Sequence, residues 1–203
     1  MNDDEDDGKS KNYIKVILVG DAGVGKTNLI AVACGQEFNT KNLSTTTCSY
    51  MRILMKINDI EYKVNIWDTI GQEKYKALTK IFFKNSKIVL FVYDITSRKS
   101  FESLKSWKQT IDQTLGNVSP IGVVGNKCDL YMNEEVTESE AKKYAEEIGA
   151  KFIYTSAKLD AHNFKKFLEE LVKDYVSKNT PTKNTDIKID KKKCKEKKRK
   201  KFC

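Results

Sequence analysis

Tyr13-Ile14-Lys15-Val16-Ile17-Leu18-Val19 runs straight into Gly20-Asp21-Ala22-Gly23-Val24-Gly25-Lys26-Thr27, and this junction decides the fold. The first run is apolar and rich in β-branched residues, as a buried strand requires. The second fits G-x-x-x-x-G-K-[ST] and leads into a helix-like stretch from Lys26 to Cys34. A strand that ends in a glycine loop and feeds a helix turns several backbone N–H groups toward one anion, and the helix dipole adds to the attraction. Gly25 lets the backbone come close, Lys26 can reach the β- and γ-phosphates, and the Thr27 hydroxyl can ligate Mg²⁺. The candidate phosphate contacts are therefore Asp21, Ala22, Gly23, Val24, Gly25, Lys26, Thr27 and the adjoining Asn28. Taken alone, the motif says only that the chain binds a phosphate.

Outward from this junction, strand-like and helix-like patterns alternate. Tyr50 to Ile57 and Glu61 to Trp67 alternate in the strand manner around Asn58-Asp59, a hairpin turn signal. Lys87 to Tyr93, Ile121 to Val124 and Lys151 to Tyr154 are further short strand candidates. Helical spacing is found in Phe101-Leu104-Trp107-Ile111, from Ser139 to Ile148, and in Phe164-Phe167-Leu168-Leu171-Val172-Tyr175. The pattern predicts an α/β domain with a mostly parallel six-stranded sheet, one antiparallel edge strand from the hairpin, and helices on both faces. The helical pattern fails near Ser177, so residues 11–176 are read as the domain, 1–10 as an acidic N-terminal tail and 177–203 as a flexible tail.

Three further motifs fall at the ends of strand-like runs. Asp68-Thr69-Ile70-Gly71 offers a strand-end carboxylate, Asp68, able to hold a Mg²⁺ shell directly or through water. Gly71 can give its N–H to a γ-phosphate without side-chain interference. Asn126-Lys127-Cys128-Asp129 supplies a base-reading set. The Asp129 carboxylate can accept two parallel hydrogen bonds from the N1–H and exocyclic amine of guanine, a pattern adenine cannot donate, and such a site rejects bases that leave it unsatisfied. Lys127 can lay its alkyl stem over the base, and Asn126 can tie this loop to the glycine loop. In Thr155-Ser156-Ala157-Lys158, the N–H of Ala157 suits the guanine O6, with Ser156 and Lys158 beside it.

On these residues the chain resembles a Ras-superfamily small GTPase over roughly residues 12–176, and more narrowly the Rab family. The segments that carry the narrower likeness are Lys63 to Tyr75, Phe91-Val92-Tyr93-Asp94-Ile95-Thr96 and Ser100 to Trp107. The resemblance implies a GTP hydrolase that needs Mg²⁺, is slow alone, and accelerates when an activating protein adds an arginine. It implies that Thr45 ligates Mg²⁺ in the GTP form, that Phe38 packs against guanine, and that Gln72 positions the attacking water, so that Lys26, Thr45 and Gln72 form the catalytic set. It also implies an exchange factor, an activating protein, effectors, and prenylation and GDI-type machinery as partners of a monomer working in vesicle traffic between the cytosol and the cytoplasmic face of internal membranes. Tyr50, Trp67 and Phe82 fall where Rab proteins carry an aromatic cluster that effectors recognise, although aromatics at such positions also fill cores. Trp107, at helical spacing, reads as core.

Three departures stand out: Ile70 where the family has alanine, Thr46-Thr47 in place of Ile-Gly, and the end of the chain. The 203 residues carry a net charge of +9, yet nine of the cations lie in Lys191 to Cys203, so a nucleic-acid surface on the body is not implied. Cys203 beside the Lys191–Lys201 basic run points to a lipid-plus-polybasic membrane anchor, with Cys194 as a second candidate. The same lysine run also fits a nuclear-import or nucleic-acid tail. Two rival readings follow, a slowly hydrolysing GTP-binding scaffold, favoured by Ile70 and countered by Gln72, and a nuclear transport GTPase. The acidic N-terminus is unlike a secretory signal, no apolar run is long enough to span a bilayer, and the five cysteines lack metal or disulfide spacing. Cys34, Cys48, Cys128 and the lone His162 are expected to carry no chemistry.

Overall fold

A computed structural model describes residues 12–39, 49–69, 82–116, 118 and 120–179. Its elements are β1 (Tyr13–Val19), α1 (Lys26–Ala33), β2 (Ser49–Ile57), β3 (Ile60–Asp68), β4 (Ile88–Asp94), α2 (Arg98–Leu115), β5 (Ile121–Asn126), a 3-10 turn (Cys128–Asn133), α3 (Glu138–Glu147), β6 (Lys151–Tyr154) and α4 (Ala161–Asn179). The strands form one six-stranded sheet in the order β2-β3-β1-β4-β5-β6. Every neighbouring pair is parallel except β2 with β3, so five strands run one way and β2 is the antiparallel edge.

The hairpin follows from its turn residues. Asn58 and Asp59 both take left-handed φ, 49° and 63°, which a two-residue turn matched to strand twist requires and Asn and Asp tolerate. The strand period of two then divides the core. Ile14, Val16 and Leu18 of β1 face a cluster with α1 and α4, while Ile17 and Val19 face a second cluster with α2 and α3. With helices on both faces, β1 and β4 are buried almost throughout, which is why their sequences read as unbroken apolar runs.

Two boundaries differ from the sequence pattern. β5 continues past Val124 through Gly125 and Asn126, paired to Tyr93 and Asp94 of β4; a Cβ on Gly125 would crowd the Tyr154 ring and the Tyr93 hydroxyl, 2.7 Å from the latter. α4 runs to Asn179, beyond the Ser177 where the apolar pattern stops, and the Ser177 and Asn179 side chains fold back to donate to the Asp174 and Tyr175 carbonyls at 2.9 and 2.8 Å. The parallel strands all point one way, so Val19, Asp68, Asp94 and Asn126 come out on the same edge of the sheet, the usual place for a ligand in such a fold.

Candidate functional site

The glycine loop leaves β1 with the backbone in conformations that only glycine adopts easily. Gly20 has φ 151° and Gly25 φ 95°, and a Cβ would collide with the Val92 carbonyl at the first and with the Asn126 amide at the second. α1 begins at Lys26 with no side-chain cap. Among the described helix starts, α2, α3 and α4 are capped instead: Ser97 accepts from Ser100 N, Thr137 from Glu140 N, and Asp160 from Asn163 N. The open donors at the start of α1 are thus the ones left for an anion. Lys26 is buried, and its Nζ donates to the carbonyls of Gly20 and Asp21, both at 2.8 Å. Burial pushes the Lys26 ammonium down to about 8, against the opposing pull of the Asp68 and Asp21 carboxylates.

Beside the lysine, the Thr27 hydroxyl donates to Asp68 Oδ2 at 2.7 Å. These two residues, 41 apart in the chain, meet because Leu18 of β1 pairs in register with Asp68 of β3. A hydroxyl and a buried carboxylate at a phosphate-binding loop are the hard oxygen donors that suit Mg²⁺, which completes its shell with water and phosphate oxygens. Thr69 follows, buried, with its hydroxyl on the Leu18 carbonyl at 2.5 Å, which fixes the exit from β3.

At the base end the structure is a network of side chains. Asn126 is 1% exposed; its amide donates to the Val24 carbonyl at 2.8 Å, and its oxygen accepts from the Ala157 N–H at 3.2 Å. One residue therefore joins the glycine loop to both base-reading loops. The Ala157 N–H assigned from sequence to guanine O6 is here engaged by Asn126. Asp129 Oδ1 accepts from the Ser156 hydroxyl at 2.6 Å, and that hydroxyl in turn accepts from the backbone of Lys158 and Leu159, both at 3.2 Å. Lys127 sits in the left-handed region at φ 66°, and its ammonium pairs with Asp94 Oδ2 at 2.6 Å. The other Asp94 oxygen holds Thr96 through its N–H (2.9 Å) and hydroxyl (2.7 Å).

The loop residues from Asp21 to Thr27, with Asp68, Asn126, Lys127, Asp129, Ser156, Ala157 and Lys158, thus gather along the one edge of the sheet. Asn28 instead turns its amide to the Asn39 carbonyl at 3.1 Å, and Phe38 is half-buried against the cluster of α1 and α4. Thr45, Gly71 and Gln72, with Thr46, Thr47, Cys48, Ile70, Cys194, Cys203, the N-terminal tail and residues 180–203, lie outside the described residues. The aromatic trio assembles: the rings of Tyr50 and Trp67 are 5.0 Å apart and those of Trp67 and Phe82 6.2 Å. Tyr50 is exposed and Trp67 half-buried, with the Lys15 ammonium 4.4 Å from the Trp67 ring. Cys34 and Cys128 are free thiols, each pushed up chiefly by burial.

Sequence reasoning overlooked two supporting residues. Asp94, which anchors Lys127, stood only in a family-like segment; a carboxylate at the end of the strand beside β5 is the signal that could have found it. Trp107 is core as expected, yet its indole also reaches Asp21 at 2.9 Å.

Comparison with known proteins decides the family. The sequence model of the Ras family matches residues 15–177. The chain belongs to the Ras superfamily, in its Rab branch. It is 38% identical over 172 residues to Ras-related protein Rab-21 of Homo sapiens, covering 85% of this chain and 74% of that one. It is likewise 38% identical to Ras-related protein RABA5b of Arabidopsis thaliana over 170 residues (84% and 78% covered) and to Ras-related protein Rab-2B of Dictyostelium discoideum over 173 residues (82% and 86%). The chain is a Rab-like small GTPase of membrane traffic, which sets aside the nuclear transport reading. Rab GTPases as a family use GTP, GDP and Mg²⁺, hydrolyse GTP, and work with exchange factors, activating proteins, effectors and GDI. No helix among the described residues is long and apolar enough to cross a membrane.

Proposed function

We propose that this chain is a switch that binds GTP and GDP along the described edge of the sheet and hydrolyses GTP slowly until an activating protein intervenes. The observation that carries the reading is Asn126, whose one side chain spans from the Val24 carbonyl of the glycine loop to the Ala157 N–H beside the base-reading carboxylate. Phosphates and base are thereby read by a single pre-joined frame. The loop N–H groups and the start of α1 receive the phosphates, and Lys26 leaves its resting carbonyls for the β- and γ-phosphates. Thr27 and Asp68 hold Mg²⁺, joined by Thr45, and the ion neutralises charge on the phosphate oxygens when bound. Asp129 selects guanine, held in place by Ser156. Gly71 and Gln72 act on the γ-phosphate and the attacking water, with an arginine from the activating protein adding to the stabilisation.

Effectors dock on the switches and on Tyr50, Trp67 and Phe82. Cys203, with Cys194 as a second site, takes the lipid, and Lys191–Lys201 adds attraction of about 1 kcal/mol per cation near an anionic leaflet. The protein then cycles between the cytosol and the cytoplasmic face of internal membranes with GDI-type machinery. Two experiments test these halves. Asp129→Asn exchanges preference from guanine to xanthine nucleotide; retention of wild-type preference for GTP over XTP overturns the base assignment. A protein carrying both Cys194→Ser and Cys203→Ser stays in the cytosol; membrane attachment of that protein excludes lipid anchoring as its main cause.

Ile70 favours a second reading, a scaffold that holds GTP and hardly hydrolyses it. A stiff β-branched side chain stands between Thr69 and Gly71, beside the water-positioning Gln72. Single-turnover hydrolysis without partners is expected to be about tenfold slower than in Ile70→Ala, about 1.4 kcal/mol of barrier. Equal or faster wild-type turnover ends this reading.

A further inference from the structure

Trp107 lies on α2, wholly buried in the core cluster between that helix and the sheet. Its Nε1 donates to Oδ1 of Asp21 at 2.9 Å, across 86 residues of sequence. A buried indole N–H needs an acceptor, but packing alone does not require that acceptor to be a loop carboxylate. Asp21 is the first residue after Gly20, where the chain leaves β1, and its own carbonyl accepts from Lys26 Nζ at 2.8 Å. The same residue thus carries both the bond to a core helix and the resting contact of the phosphate-binding lysine.

The helix is a firm anchor. Ser97 caps it, Arg98 at its start bonds to Glu140 and to the Glu135 carbonyl, and Leu104 and Ile111 are buried on either side of Trp107. The other half of the loop is held at Val24 by Asn126. Between these two anchors lie Ala22 and Gly23, the latter at φ 81° with no atom within 4 Å of where a Cβ would stand. A glycine-rich loop fixed at one end only would lose more conformational freedom on closing around phosphate than a loop fixed at both.

We propose that Trp107 is a positioning residue for the phosphate loop: through its hydrogen bond to Asp21 it holds the first half of the loop in its phosphate-receiving shape and so sets how long a nucleotide stays bound. The inference rests on the glycine loop being the nucleotide site, which loading of the wild-type protein tests separately.

The experiment follows release of N-methylanthraniloyl GDP from the full chain in Mg²⁺, chased with excess GDP. Asp21→Ala, which removes no core volume, is expected to release about tenfold faster, as is Trp107→Phe, and the double variant no faster than either single one. Asp21→Asn is expected to stay near the wild-type rate, because its amide oxygen can still accept from the indole. The ratio of GDP to XDP affinity should not change in any of them, since the bond touches only the phosphate end. A wild-type rate for Asp21→Ala overturns the proposal; so does an Asp21→Asn as fast as Asp21→Ala, which would assign the effect to charge, and so do single effects that multiply. Should Trp107→Phe not fold, Asp21→Ala with Asp21→Asn as its rescue decides alone. Failure of the wild type to load the labelled GDP would instead overturn the nucleotide-site reading.

Discussion

The proposed phosphate end and the proposed base end of this site are built on opposite plans. At the phosphate end the donors are mostly backbone: a loop with glycines at φ 151°, 81° and 95°, and a helix start with no side-chain cap. At the base end side chains do the holding: Asp129 is held by Ser156 and Lys127 by Asp94, and the Ala157 N–H is engaged by the Asn126 side chain. The difference follows from the ligand. A phosphate group presents the same oxygens in every nucleotide, so backbone N–H groups and one lysine suffice to receive it. A base must be told from other bases, and a group that discriminates by hydrogen bonds has to be fixed before the ligand arrives.

This contrast can be broken by substitution, and the base end should break hardest. Asp129→Asn is expected to lower GDP affinity by about 10³-fold or more, with XDP gaining, because a buried pair of donors on the base is left mismatched; competition titration of the two nucleotides reads it. A loss below about tenfold would mean that the base end does not rely on its carboxylate. Asn126→Ala, which unties the two ends from each other, should raise the GDP dissociation constant by about 100-fold, the sum of two buried hydrogen bonds lost. If only the base preference changed and phosphate affinity held, the two ends would be independent after all.

The supports come next. Ser156→Ala removes one donor from a charged acceptor and should speed GDP release about tenfold, measured by the same chase of labelled GDP. Asp94→Ala is expected to have the smallest effect, about threefold. The ion pair it breaks is only partly buried, with Lys127 and Asp94 side chains 34% and 12% exposed, and such pairs contribute little. The effect should also shrink as salt is raised. An Asp94→Ala protein that releases GDP faster than Ser156→Ala would reverse the order of supports at the base end.

Much of this was legible in the chain itself. Local patterns and turn chemistry dictate the strands, the Asn58-Asp59 hairpin and the glycine loop, because each is decided by residues close in sequence: period-two burial, tolerance of left-handed φ, absence of a Cβ. Gly20 to Thr27, Asp68 and the Asn126–Asp129 loop could be named as candidate site residues for the same reason, since each sits at the end of an apolar run. The tertiary structure alone decided who supports them. Sheet register sets Thr27 beside Asp68, and Asp94 beside Asn126. The packing of α2 on the sheet carries the Trp107 indole to Asp21, and the loops after β5 and β6 bring Ser156 to Asp129 across 27 residues. A periodic pattern reports which face of an element is buried, but not which polar atom a buried donor will find; that depends on the register and approach of elements far apart in the chain.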